Sequence, residues 1–278
     1  PGAEVVCYGE ALYDLLADDL GVSRGEVKSW TPYPGGAPCN VATALGRLGT
    51  PAAFIGTLGD DPGGKALLEL IAGRDVDVSA ARASTLPTRE VFVTRSADGD
   101  RAFAGFALPS SAYSDCAAYE PSSLVGAEAK AREARILVMG TLGLAYPGSR
   151  ATMLALMDAA KAAGVPVLID VNWRPMFWEC SEEEALAQMR PFVARADVVK
   201  ITDEEALALL GIDPGAALED PRLVKDACSG AMGVLVTGGE RGSSYCLGPD
   251  GHTGFHAAFT VDIADTTGAG DAFTAGFL

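Results

Sequence analysis

The chain has 278 residues, 49% hydrophobic and 21% charged, a composition that can bury a substantial core in one large α/β domain or two medium ones. Lys+Arg 21 against Asp+Glu 37 gives a formal charge of −16, and a field of that sign opposes unspecific attraction to nucleic acid or anionic lipid. A small anionic ligand would need local donors and a cation to offset it. The first apolar run, Val5-Val6-Cys7-Tyr8-Gly9, predicts a buried strand. Residues 18–34 carry turn formers, with room for short extra strands. Residues 40–49 have helical spacing and stop at Gly49, a plausible C-terminal cap. Ala53-Phe-Ile-Gly56 predicts a second strand, and residues 63–74 a helix started by Pro62. Glu90-Val-Phe-Val-Thr94 and Arg101-Ala-Phe-Ala-Gly-Phe106 are β-like runs separated by Asp98-Gly99, a strong hairpin signal.

From there the chain alternates. Strands at 136–139, 167–171, 198–201 and 234–237 are separated by Ala/Leu/Glu-rich helical segments. This pattern predicts right-handed βαβ units and a mostly parallel sheet covered on both faces. Residues 244–247 and 253–259 predict an antiparallel hairpin on its edge. No repeat or linker divides the chain, so residues 1–278 are expected to form a single α/β domain with a small β excursion.

Six cysteines (Cys7, Cys39, Cys116, Cys180, Cys228 and Cys246) are scattered without metal-like spacing. They give the expectation of a reducing compartment: the cytoplasm, or the plastid stroma if an N-terminal transit segment has been removed. No apolar stretch reaches the length of a membrane span, and no secretory signal is visible. The chain opens at Pro1 and closes at Gly276-Phe-Leu278 inside a helical pattern, so truncation at both ends is expected.

The sharpest feature is Asp265-Thr-Thr-Gly-Ala-Gly-Asp271. Gly268, Ala269 and Gly270 precede an amphipathic helical start, where free backbone N–H groups and the positive dipole end favour an anion. Asp271, in the first turn, could accept a proton from an attacking hydroxyl. A plain glycine-rich turn capped by Asp271 is the simpler alternative, but the flanking carboxylate and two threonines weigh against it. It is not a Walker loop, since no Gly-Lys-Ser/Thr follows. The second constellation, Tyr33-Pro-Gly-Gly-Ala-Pro-Cys-Asn40, places paired glycines and an amide ahead of a helix, which suits close approach to a neutral polyol, although in isolation a Pro/Gly turn capping the helix is the better reading. Asp14, just after the first strand, offers a carboxylate for sugar hydroxyls, although an acid there is by itself more often a surface loop residue.

With these motifs the chain resembles the ribokinase-like (PfkB) carbohydrate kinases, and among them most of all the fructokinases. Gly9-Glu-Ala-Leu-Tyr-Asp14, the block from Gly35 to Gly49 and Gly56-x-Leu-Gly-Asp-Asp61 match the N-terminal signature of that family. Asp265 to Gly276 matches its C-terminal signature, and Asp170-Val-Asn-Trp-Arg-Pro-Met-Phe-Trp178 resembles a fructokinase segment between them.

The resemblance implies a three-layer α/β/α sandwich with a small β lid from about 12–34 and 88–107. It implies phosphoryl transfer from ATP to a primary hydroxyl of a ketohexose, most of all fructose. Another acceptor (2-keto-3-deoxygluconate, ribose or a nucleoside) and a non-catalytic scaffold are the alternatives. Asp271 would be the base, and Gly268, Ala269 and Gly270 the anion hole. Arg174 would lie near the transferring phosphate or the substrate, and Asp14, Gly35, Gly36 and Asn40 would hold the sugar. Lys200, Thr237, Gly239 and Gly242 would line the nucleotide site. Glu205 would orient Mg²⁺ through water, with Asp203 and Glu204 read as solvated acids at the helix start. Asp265 and Thr267 resemble ligands of a monovalent cation, K⁺. Exposed lid edges invite a lid-to-lid homodimer. Two departures bear on the acceptor: Gly105-Phe-Ala-Leu-Pro-Ser-Ser-Ala-Tyr113 lacks an arginine common in fructokinases, and Arg89 stands where a small residue is common.

Overall fold

The computed structural model describes residues 3–97, 101–262 and 266–278. The chain starts with β1 (Val5–Tyr8), four buried residues, followed by β2 (Leu12–Leu20) and β3 (Trp30–Gly35). Helix α1 (Ala37–Leu48) has proline in its first turn and ends on left-handed Gly49. Next come β4 (Ala52–Ile55), β5 (Thr57–Gly59) and α2 (Pro62–Ala72), whose Asp61 cap accepts the Gly64 N–H. The short strands β6 (Val76–Asp77) and β7 (Arg82–Ser84) precede the pair β8 (Glu90–Arg95) and β9 (Arg101–Phe106).

The alternating part follows: α3 (Pro121–Glu133), β10 (Ile136–Met139), α4 (Pro147–Ala162), β11 (Val167–Asp170), α5 (Glu182–Val193) and β12 (Val198–Thr202). Helices α6 (Asp203–Leu210), α7 (Pro214–Glu219) and α8 (Arg222–Ala227) lead to β13 (Gly233–Thr237), β14 (Ser243–Leu247) and β15 (His252–His256). The last element is α9 (Ala269–Phe277).

Among the described residues the main sheet has nine strands in the order β15-β14-β13-β12-β11-β10-β1-β4-β6. It is parallel from β13 to β6, and β13, β14 and β15 pair antiparallel at the edge. β15 is shorter than the expected 253–259, because its partner β14 begins at Ser243, opposite His256. Alternate residues of each parallel strand enter different cores. Val6, Tyr8, Leu137, Met139, Val167 and Ile169 pack towards α3 to α8, while Val5, Cys7, Val138 and Leu168 pack towards α1, α2 and α9. That two-faced burial makes a three-layer α/β/α fold and explains why these strands read as continuous apolar runs.

A second sheet, β3-β2-β8-β9, stands apart from the main one. Its centre is the parallel pair β2–β8, flanked by antiparallel β3 and β9. The Asp98-Gly99 turn of the predicted hairpin lies outside the described residues. A small parallel pair, β5–β7, was not expected, since three-residue strands are too short to show a period.

Arg89, just ahead of β8, is fully buried, and pairs through Nε and Nη2 with both carboxylate oxygens of Asp115 at 2.7 and 2.9 Å. Its guanidinium lies against the rings of Tyr113, Phe177, Phe106 and Tyr146, 4.6 to 5.2 Å from their centroids. The unusual arginine therefore ties the small sheet to the main body. Removing one partner of a buried pair strands the other charge, so Asp115→Ala should lower the unfolding free energy by about 3–5 kcal/mol in urea denaturation. A loss under ~1 kcal/mol would show that water reaches the guanidinium.

Candidate active site

The parallel strands β1, β10, β11 and β12 end on one rim, where open α/β sheets bind ligands. A cavity of about 690 Å³ opens there, between the rim and the small sheet. A second cavity, about 760 Å³, lies beside β13 and β14. Lys200, Thr202 and Gly270 line both. The first turn of α9 thus stands where the two cavities meet.

Asp271 lies in that turn, one residue after Gly270, and is lined up on the first cavity with Asn40 of α1. The Asn40 amide Nδ2 donates to Asp271 Oδ2 at 2.8 Å. Burial pushes the Asp271 carboxyl above its usual range, opposed by that hydrogen bond and by the charges of Lys200 and Arg174. A carboxylate held there but still easily protonated suits a general base. The helix cap is Gly268, not Asp271, so the simpler reading of Asp271 as a cap is excluded.

The expected anion hole is only partly open. Ala269 N–H donates to Thr266 O at 3.1 Å, while the Gly270 and Asp271 N–H groups have no backbone acceptor among the described residues. These two point a helix N-terminus at the junction. Gly268 lines the first cavity and Ala269 the second.

Of the residues expected to hold a sugar, Asp14, Gly36 and Asn40 line the first cavity. Gly35 does not. It pairs with Leu12 in the small sheet, and a Cβ there would fall 2.8 Å from Asp14 Oδ2, so it makes room for that carboxylate. Gly36 has φ of 100°, and a Cβ would lie 2.3 Å from the Glu10 carbonyl oxygen. Burial raises the Asp14 carboxyl, while Arg101 and Arg174 pull it down.

Arg174 is exposed on the cavity wall, and its guanidinium donates to the Trp173 carbonyl at 2.8 Å. The turn that presents it passes through Asn172, which has a left-handed φ of 42°. Glu205 anchors the same loop: Oε1 accepts the Trp173 N–H at 2.7 Å and Oε2 the Thr202 N–H at 2.9 Å. Its carboxylate is buried and faces the first cavity, as does the exposed Glu204. Asp203 corrects the expectation of a solvated acid. It is 3% exposed and bonded to the Arg241 guanidinium, because the turn after β13 folds back over α6.

Thr237, Gly239 and Gly242 line the second cavity with Leu235, Tyr245, Phe273 and Phe277, an apolar setting for a flat ring. Asp265 lies outside the described residues. The Thr267 hydroxyl oxygen, expected near a monovalent cation, accepts a hydrogen bond from Arg101 Nη1 at 2.6 Å. Among the described residues no cluster of three or more His, Cys, Asp or Glu is set to hold a metal.

Three site residues escaped the sequence reading: Glu10, Arg101 and Asp170. Glu10 is 5% exposed and its Oε1 accepts the Ala37 N–H at 3.0 Å, holding the start of α1. Burial pushes its carboxyl up to about 8, with Asp115 and Asp271 adding repulsion and backbone hydrogen bonds opposing. Its position directly after the first strand was a usable signal. Asp170 opens the segment that resembles fructokinases, but nothing local gave it a role, and nothing local marks Arg101; both come to the cavity on strands placed across it.

Two measurements follow from these charges. Between 4.5 and about 8, the folded protein keeps a proton on Glu10 that the unfolded chain releases, so stability falls as pH rises through that window. Glu10→Gln should remove that dependence, gaining at least about 2 °C in Tm at pH 8 relative to pH 5. Asn40→Ala removes the hydrogen bond that favours ionised Asp271, so the acid limb of kcat/KM should move to higher pH. An unmoved or lowered limb would separate that limb from Asp271.

The profile of the pfkB family carbohydrate kinases matches residues 3–278. Fructokinase-1 of Zea mays is 36% identical over 278 residues, covering 99% of this chain and 81% of that protein. Fructokinase-2 of Solanum lycopersicum is 35% identical over 282 residues, with 99% and 80% covered. A crystal structure of fructokinase with bound ATP from Xylella fastidiosa superposes with a TM-score of 0.80 at 29% identity, covering 98% of this chain and 79% of that one. Matched along its length, with a carboxylate and a helix N-terminus at the meeting point of two cavities, the chain belongs to the pfkB family of carbohydrate kinases and is a phosphotransferase with a sugar hydroxyl as acceptor.

Proposed function

We propose that this sugar kinase transfers the γ-phosphoryl group of ATP to a primary hydroxyl of a ketohexose, with fructose as acceptor and fructose 6-phosphate as product. The observation that carries the proposal is the junction at Gly270 and Asp271, which serves two cavities at once. Its fructokinase relatives, and the ATP bound by the one from Xylella fastidiosa, support the choice of acceptor and donor. The sugar takes the first cavity, with Asp14 and Asn40 as partners for its hydroxyls. The nucleotide takes the second, its base against the apolar wall and its γ-phosphate at the first turn of α9.

The reacting hydroxyl gives its proton to Asp271 as its oxygen bonds to the γ-phosphorus, and the bond to the ADP oxygen breaks. The Gly270 and Asp271 N–H groups and Arg174 hold the charge on the phosphoryl oxygens. Both Glu205 oxygens already accept backbone hydrogen bonds, which suits an indirect hold through water on a hydrated Mg²⁺ carried in with the phosphates. When bound, that ion would supply neutralisation of phosphate charge.

A second reading rests on Arg101 and Arg174, which both act on Asp14 from the wall of the first cavity. Two guanidinium groups favour an acceptor with a carboxylate, such as 2-keto-3-deoxygluconate.

Coupled ADP release across a panel of fructose, ribose, nucleosides and 2-keto-3-deoxygluconate decides between them. Fructose should give the highest kcat/KM; a strong preference for the acid sugar would replace it. Asp271→Ala, with an unchanged melting profile, should lower kcat by at least ~10²-fold. Near-normal turnover would remove Asp271 from the role of base.

A further inference from the structure

A buried ion pair lies where the two cavities meet. Asp170, the last residue of β11, and Lys200, in the middle of β12, are register partners, 4% and 5% exposed, with Nζ 3.0 Å from Oδ1. The second carboxylate oxygen, Oδ2, lies 3.1 Å from the Thr274 hydroxyl of α9, which is itself fully buried. That hydroxyl is also 3.1 Å from the Gly270 carbonyl oxygen. Lys200 lines both cavities, and a Cβ on Gly270 would fall 2.9 Å from its Nζ. The ammonium therefore sits directly against the turn that carries the free N–H groups.

Stability does not account for this arrangement. Desolvation of two charges offsets most of their attraction, and an apolar pair of similar volume would serve the core as well. Burial pushes the Asp170 carboxyl up even against the pull of Lys200, with Glu205 and Asp271 adding repulsion. Among the described residues, Asp170 is the one group to which the ammonium hydrogen-bonds. An ammonium has three donors, so two remain for whatever occupies the junction.

We infer that Asp170 is a positioning residue for phosphoryl transfer, fixing the Lys200 ammonium where it meets the transferring phosphoryl group beside the α9 N-terminus. Thr274 keys the same carboxylate to α9, so the ammonium and the Gly270 and Asp271 N–H groups keep one spacing. The inference rests on phosphotransferase activity but not on the identity of the sugar.

The test is a double-mutant cycle with Asp170→Asn and Lys200→Met, assayed with the best acceptor from the panel. Each single variant should lose about 10²-fold in kcat, the scale of one lost donor to a developing charge, while KM for the sugar stays within about threefold. The double variant should be no worse than Lys200→Met alone, because Asp170 acts through that lysine. Multiplied losses in the double variant, or wild-type kcat in Asp170→Asn, would overturn the inference. Thr274→Val covers the case in which Asp170→Asn does not fold, since it loosens the carboxylate without stranding a charge. It should lower kcat by roughly fivefold at unchanged sugar KM, and wild-type kcat would count against the inference. Failure of the wild type on every sugar would instead sink the proposed reaction.

Discussion

The hydrogen bond from Asn40 to Asp271 spans 231 residues of sequence, and the rest of the site is arranged around it. It requires α1 and α9 to lie side by side on one face of the sheet, which the core formed by Val41, Leu45 and Ala275 ensures. It also requires the start of α1 to sit against the end of β1. Glu10 and the close approach of Gly36 provide that contact. The Asp271 carboxylate is thus oriented by a packed helix pair and not by a loop, and its geometry inherits the rigidity of the core.

The electrostatics follow from crowding acids on one rim of the sheet. Glu10, Asp14, Asp170 and Asp271 are all pushed up, with burial as the largest cause in each case. In a chain with formal charge −16, the compensating groups are local: Lys200, Arg101, Arg174 and the first turn of α9. These positive groups come from four separate elements or loops. They share one cavity only when the small sheet, the sheet rim and α9 are in place.

Legibility in sequence followed burial. The strands of the main sheet are buried on both faces, so β10 appears as an unbroken apolar run with its observed limits, and β11 to β13 differ by one residue at an end. Short or edge strands were harder: β5 and β7 have three residues each, and β15 stops where its partner does. Within the site, residues in glycine-rich turns were found because such turns have few uses. Asp203 was misjudged because an acid at a helix start ordinarily faces water, and only the fold brings Arg241 to it.

The sequence by itself determined the family, the alternation that builds a parallel sheet and the residues with reactive chemistry. It did so because a signature turn and a buried strand are local, written in neighbouring residues. Tertiary structure alone decided what those residues do to one another. It set Gly35 in the small sheet beside Asp14, where it leaves room for that carboxylate, and tied the Ala269 N–H into a turn hydrogen bond. It also brought Lys200, Asp170 and Thr274 together beneath Gly270, residues whose spacing along the chain carries no signal of contact. Such pairings depend on which strands are neighbours in the sheet and which helix crosses above them, and that order is fixed only when both cores close.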